Sequence, residues 1–214
     1  MKILVFAEQR DNKFKKPAFE AVRTARLIAD RFQGEVIALV VGGGVKSIAP
    51  SLGGYGANKV LVAEDPKLTL YASRAYAKLV AAAAQAQQAT VVVIPATALG
   101  KDLAPRVAVK LDAGLAADCT GLNVEGTDIV ATRPVYAGKA LTHLKVTSAV
   151  KVFTLRPNVF AAGESSGGAA PVEMVPLTLT DEDFSCVVKE IKQSSGKLDV
   201  AEADIIVTGG LGLK

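Results

Sequence analysis

The chain contains no tryptophan, one histidine and two cysteines, and these scarcities exclude several chemistries. A metal centre or a Ser–His–acid triad needs partners that a lone His143 does not have. His143 sits in the alternating stretch ALTHLKV and reads as a strand side chain. Cys119 and Cys186 stand far apart in no CxxC spacing, so they read as structural thiols of a reducing compartment. No apolar run reaches the ~20 residues of a membrane-spanning helix. The densest run, 81–84, is bracketed by Lys78 and Gln85, so direct membrane insertion is not expected. The start MKILVFAEQR is too short in its apolar part for a secretory signal and reads as a strand, which makes a cytoplasmic address the default. Charge of one sign is also lacking. Lys and Arg number 25 against 21 Asp and Glu, a net charge of +4, and aromatics are 5% of the chain, which argues against a nucleic-acid partner.

What is present is apolar and periodic. Half of the 214 residues are hydrophobic, and the mean hydropathy is +0.32. Such values fit a parallel sheet covered on both faces, whose strands read as continuous apolar runs. KILVFA (2–7) is the first such strand. PAFEAVRTARLIADRF (17–32) places Pro17 at a first helical position, with Phe19, Val22, Ala25 (or Arg26), Ala29 and Phe32 at helical spacing. Gly34 stops that helix, EVIALVV follows as a strand, and a short helix is predicted over 46–52. NKVLVAE (58–64) is a third strand, 70–88 a long Ala-rich helix, and TVVVIPA a fourth strand. KDLAPRVAVKLDA reads as a helix from Lys101 with Pro105 in its first turn. Strand and helix thus alternate over the first 113 residues, which predicts right-handed parallel crossovers.

The rhythm then changes. DIVATRP, ALTHLKV and AVKVFTLR, broken by Gly126, Pro134 and Gly138, read as hairpin-like antiparallel strands extending the sheet. Residues 161–171, AAGESSGGAAP, read as a flexible loop. VEMVPLTL and FSCVVKEIKQS read as two further strands, KLDVAEA as a connection, and 205–208 as a short strand.

Three internal glycine clusters invite a nucleotide reading, and each has a plainer one. VVGGGVKS (40–47) follows a strand but lacks the GxxxxGK(S/T) spacing, so it reads as a strand-to-helix loop. GGYGANK (53–59) leads into a strand and opens no helix. ESSGGAAP has no strand before it and Pro171 after it. Asp181, Glu182 and Asp183 read as a solvated loop or helix cap. Arg106 and Lys110 fall four apart on one helix face and read as solvent-exposed, with a partner contact as the sharper alternative. The charged loop EQRDNKFKKP offers Arg10, Lys13, Lys15 and Lys16 beyond the first strand but no organised phosphate turn. The fourth cluster, TGGLGLK, follows the run at 205–208, and backbone amides at such a turn suit a phosphate or a polar cofactor edge.

Several blocks, in order, resemble the electron transfer flavoprotein alpha subunit: MKILVFAE, GGYGANKVLVAED, ATALGKDLAPRVAVKLDAGLAADC (96–119), RPVYAGKAL (133–141), KVFTLRPNVF (151–160) and the closing ADIIVTGGLGLK. The resemblance implies a Rossmann-like, adenine-nucleotide-alpha-hydrolase-like α/β fold: a mainly parallel sheet with helices on both faces and an antiparallel extension. It further implies a domain over 1–203 that acts as scaffold and beta-subunit interface, with 204–214 as the first strand and glycine turn of an FAD-binding domain. In that family the heterodimer carries electrons from acyl-CoA and other flavin dehydrogenases, in fatty acid beta-oxidation, towards a quinone reductase. The chain is therefore expected to be part of an electron carrier rather than a self-contained enzyme. Gly209, Gly210, Gly212 and Lys214 match the family's flavin-turn pattern. Leu211 stands where that pattern has Arg, and is not carried over. Most of the family's flavin contacts lie beyond Lys214, so this chain alone is expected to retain FAD poorly and to self-associate when isolated. Two rival readings remain: a stand-alone AMP- or ATP-binding module using the crevice beyond the first and fourth strands, and a non-catalytic interaction domain.

Overall fold

In the computed structural model, residues 1–186, 188–191, 205–210 and 212 are described. Strand β1 (Lys2–Phe6) leads into a hairpin of β2 (Gln9–Arg10) and β3 (Lys13–Phe14), then helix α1 (Lys16–Arg31). Next come β4 (Glu35–Gly42), β5 (Lys59–Glu64), α2 (Ser73–Ala86), β6 (Val91–Pro95), α3 (Ala98–Lys110) and β7 (Gly114–Cys119). Strands β8 (Gly121–Glu125), β9 (Asp128–Val135) and β10 (Ala140–Lys145) follow, then β11 (Lys151–Leu155) and β12 (Val172–Met174). The main sheet has the order β12-β5-β4-β1-β6-β11-β7, and every adjacent pair is parallel.

Its strands are continuous apolar runs because both faces are covered. Side chains alternate between faces along a strand. Ile3, Val5, Val36, Ala38, Val91 and Val93 pack with the small residues Ala18, Ala21, Val22 and Ala25 of α1. Leu4, Phe6, Ile37, Leu39, Val92 and Ile94 meet Leu79 and Val80 of α2 and Leu103 and Val107 of α3 on the opposite face. This is the Rossmann-like α/β arrangement expected from the sequence. One charged side chain breaks the α1 pattern. Glu20 is 2% exposed, its carboxylate accepts from the Asn158 backbone N–H at 3.0 Å, and burial raises its pKa.

Several boundaries differ from expectation. Helix α3 starts at Ala98, not Lys101, because Thr97 caps it by accepting from Gly100 N at 3.0 Å. Pro105 is consequently interior, and the Lys101 carbonyl loses the helical donor a proline cannot supply. The helix expected over 46–52 is a 3-10 turn at Ala49–Tyr55. The one expected over 70–88 shortens at both ends to α2, which follows a separate 3-10 turn at Pro66–Leu68 capped by Asp65. AVKVFTLR is not a hairpin strand: β11 inserts in parallel between β6 and β7, while β8, β9 and β10 form an antiparallel sheet of their own. The expected strand VEMVPLTL is reduced to β12, beside β5.

Asp181–Phe184 is a 3-10 turn with a capping box, in which Asp183 accepts from Thr180 N at 2.8 Å and from Lys78 Nζ at 2.8 Å. It replaces the start of the strand expected from Phe184, and 187 and 192–194 of that stretch lie outside the described residues. So does the connection KLDVAEA. Residues 205–208 carry no strand pairing, and Ile205 and Val207 are 83% and 93% exposed. An apolar run becomes a strand only beside a ladder partner, and among the described residues it has none.

The segment 161–171 has no regular structure but is tied down, with Ser166 N donating to Gly54 O at 2.9 Å and Ala170 N to Pro50 O at 3.0 Å. That docking explains the first half of GGYGANK, since a Cβ at Gly53 would lie 2.3 Å from Ala170 N. Gly100 is under a harder constraint, as a Cβ there would lie 1.8 Å from the Pro95 carbonyl oxygen. Only glycine lets α3 approach β6 so closely. Gly100→Ala is expected to cost about 1–3 kcal/mol of stability despite alanine's better helix propensity, read as a lower urea midpoint. An unchanged midpoint would show that α3 can move off the sheet freely.

Candidate functional site

Strand order reverses at β1, which has β4 on one side and β6 on the other. In open α/β sheets the ligand crevice lies at such a switch point, beyond the carboxyl ends of the two strands. Here the residues that leave those ends meet each other. Thr97, after β6, donates its hydroxyl hydrogen to the Glu8 carboxylate, after β1. The same hydroxyl oxygen accepts from Gly100 N, so one side chain joins the crevice wall to the start of α3. Burial raises the Glu8 pKa, opposed by the Thr97 hydrogen bond and by Arg10 and Lys15. A carboxyl group therefore occupies the place where a nucleotide phosphate would need cations or amides.

The flanking loops are committed as well. EQRDNKFKKP, expected as a solvated loop, is instead the β2–β3 hairpin, turned by Asp11 and Asn12 at φ 53° and 55°. Gln9 Nε2 donates to Val41 O at 3.2 Å, and the Phe14 ring meets Phe19 edge-on at 5.8 Å, which fixes the hairpin at the carboxyl ends of β1 and β4. In VVGGGVKS, the Lys46 amide already donates to the Glu64 carboxylate at 2.8 Å. A carboxylate on that amide supports the plain-loop reading.

A second cluster gathers at the far end of the sheet. Asp118 of β7 has φ 58°, a left-handed conformation uncommon for a residue with a side chain. A register shift between Phe153 and Leu155 accommodates it, and Asp118 N donates to Thr154 Oγ1 at 2.7 Å. Its carboxylate accepts from Arg156 Nε at 3.0 Å and Nη2 at 2.6 Å, a two-point contact that holds the Asp118 pKa below the usual carboxylate range. Lys101 and Arg133 act on the same carboxylate through space. Neither side chain has a hydrogen bond or ion pair among the described residues, and Arg133 Nε is buried without a partner. Beside them Cys119 is fully buried, and burial pushes its thiol up to about 12. Between α3 and β7 run two adjoining cavities. One, about 290 Å³, is lined by residues including Lys101, Leu115, Asp118 and Thr154. The other, about 420 Å³, is lined by residues including Val109, Asp112 and Ala113.

The remaining candidates are placed as follows. Arg106 is exposed and pairs with Asp102 at 3.0 Å, while Tyr71 donates to Asp102 at 2.7 Å. His143 is an exposed strand residue on β10, 2.9 Å from Thr132 Oγ1. Among the described residues no cluster of His, Cys, Asp and Glu could hold a metal, and no helix is long and apolar enough to cross a membrane. Gly209, Gly210 and Gly212 are exposed, and a Cβ at Gly210 or Gly212 would meet nothing within 4 Å. Lys214 and Leu211 lie outside the described residues. Among the described residues these glycines form no cradle, so those residues by themselves do not assemble a flavin site. The Asp118–Arg156–Arg133–Lys101 cluster was missed by sequence reasoning. Its members come from four distant segments, and no local spacing marks them.

The family described as "Electron transfer flavoprotein domain" matches residues 3–180. The chain is 38% identical over 215 aligned residues to the electron transfer flavoprotein subunit alpha of Bacillus subtilis, covering 100% of this chain and 65% of that protein. It is 36% identical to protein FixB of Clostridium saccharobutylicum, covering 99% and 64%. It is 33% identical to the acryloyl-CoA reductase electron transfer subunit beta of Anaerotignum propionicum, covering 99% and 65%. The chain thus spans about 65% of the length of these relatives.

The half-buried Glu8 gives a pH signature. Its folded pKa is raised, so the native state keeps the proton to higher pH than the unfolded chain, and stability falls as pH rises through that interval. Glu8→Gln is expected to remove this fall. The variant's advantage in urea unfolding should be largest near neutral pH and disappear below the ordinary value of 4.5. An advantage that is the same at every pH would show that the Glu8 carboxyl titrates normally in the fold.

Proposed function

The chain belongs to the electron transfer flavoprotein family, and we propose that it serves as the N-terminal portion of an alpha subunit. In this reading residues 1–203 form a scaffold that assembles with a beta subunit. Residues 204–214 open an FAD-binding domain, with Gly209, Gly210, Gly212 and Lys214 at its flavin turn. The assembled protein would pass electrons from acyl-CoA and related dehydrogenases towards a quinone reductase in the cytoplasm, as a carrier and not as a self-contained enzyme. The observation that carries this reading is the likeness to a Bacillus subtilis alpha subunit over the chain's whole length. The exposed apolar run Ile205, Ile206 and Val207 supports it, since such a run suits a surface that another domain or subunit covers. The meeting of Glu8 and Thr97 at the switch point weighs against the AMP- or ATP-binding alternative, because a carboxylate there repels a phosphate.

The test is the intact mass and visible spectrum of the protein purified from its natural gene. A mass well above 22.1 kDa with a flavin band near ~450 nm is expected. A colourless protein of 22.1 kDa would overturn the carrier reading and favour an interaction domain. The isolated 214-residue chain is expected to self-associate in light scattering, and a monodisperse monomer at high concentration would contradict the exposed-surface argument.

A further inference from the structure

From β12 the chain runs to α2 as a strap over 172–184 that lies on the fold without entering it. Val175, Leu177, Leu179 and Phe184 lean on the core beside α2 and α3, yet no residue of 172–184 is buried. Its near end is tied to the sheet edge, where Val60 N donates to Pro171 O at 2.9 Å and Val175 N to Val62 O at 2.8 Å. Lys59 pairs with Glu173 there at 3.5 Å. Its far end is held by charge. Asp183, whose side chain is 15% exposed, accepts from Lys78 Nζ of α2 at 2.8 Å. The capping box with Thr180 orients the same carboxylate. The companion pair Lys67–Asp181 is 3.5 Å long, and the Asp181 side chain is fully exposed, so water and salt screen it. Lys67 also stands 5.4 Å from the centre of the Phe184 ring.

We propose that 172–184 is a clasped strap that opens as a unit while the sheet stays folded, with Lys78–Asp183 as its clasp. Segments that open locally are those with few buried apolar contacts, and the strap makes only half-buried ones. Its ladder to β5 is short, because β12 is 3 residues long and Met174 within it is 49% exposed. The half-enclosed ion pair at the far end is therefore the contact that decides whether the strap stays down. The consequence is geometric. With the clasp closed, the chain from 185 onward leaves the fold beside α2. With it open, the last anchor is Pro171 at the amino end of β5, and the freed strap adds roughly 40 Å of reach at full extension. The exposed run at 205–207 thus has a short tether and a long one. The device lies within this chain and does not depend on the carrier reading.

Hydrogen exchange of the 214-residue chain, read by mass spectrometry, tests the strap. Lys78→Met keeps the aliphatic stem and removes the charge. It is expected to speed exchange across 175–183 about tenfold or more and to leave the amides of β1, β4 and β6 unchanged. Lys67→Met is expected to do much less, because its pair is exposed. A dye on Cys186 gives a second readout, since that thiol is exposed just past the strap and Cys119 is buried. Its fluorescence anisotropy should fall in Lys78→Met as the tether lengthens. Strap exchange or dye anisotropy unchanged in Lys78→Met overturns the proposal, as does an equal effect of Lys67→Met. Strap amides that open only together with the sheet overturn it too. So does fast exchange confined to 180–183 while Val175 N stays protected, because the strap would then fray and not open as a unit.

Discussion

The Thr97 hydroxyl bears the arrangement on which the rest of the structure depends. It accepts from Gly100 N and so sets the first turn of α3, and it donates to Glu8 and so closes the switch point between β1 and β6. With Gly100 against the Pro95 carbonyl, α3 has one seat on the sheet. That seat positions Lys101 and the α3–β7 groove, since β7 follows the helix directly. A net hydrogen bond is worth about 0.5–1.5 kcal/mol. The larger consequence of these two is geometric, because they decide where the crossover lands.

The buried strands were legible because a parallel sheet covered on both faces forces continuous apolar runs, as in KILVFA and TVVVIPA. Helix α1 was legible from Pro17 and its spacing. The start of α3 was not, because Gly100 reads as a breaker in isolation and becomes essential only against Pro95. The insertion of β11 between β6 and β7 was equally hidden, since a strand run does not encode its neighbours. The run at 205–208 shows the converse. Its composition says strand, and the ladder partner that would make it one is missing among the described residues.

The candidate sites divide in the same way. The plain readings of the internal glycine clusters hold for reasons of packing that spacing cannot express: Gly53 beneath Ala170, and the Lys46 amide on Glu64. The cationic cluster around Asp118 is a product of tertiary structure alone. It joins α3, β7, β9 and the residue after β11, and nothing in the local sequence of Arg133 or Lys101 distinguishes it from ordinary surface charge. What the fold offers at its switch point is a crevice already closed by Glu8 and Thr97.

Calorimetric titration of the chain with AMP and ATP tests that description most directly. The closed Glu8–Thr97 contact predicts no saturable binding up to ~1 mM, the weak end of specific affinity. Saturable binding in the micromolar range would contradict it, and the switch-point crevice would then be a nucleotide site after all.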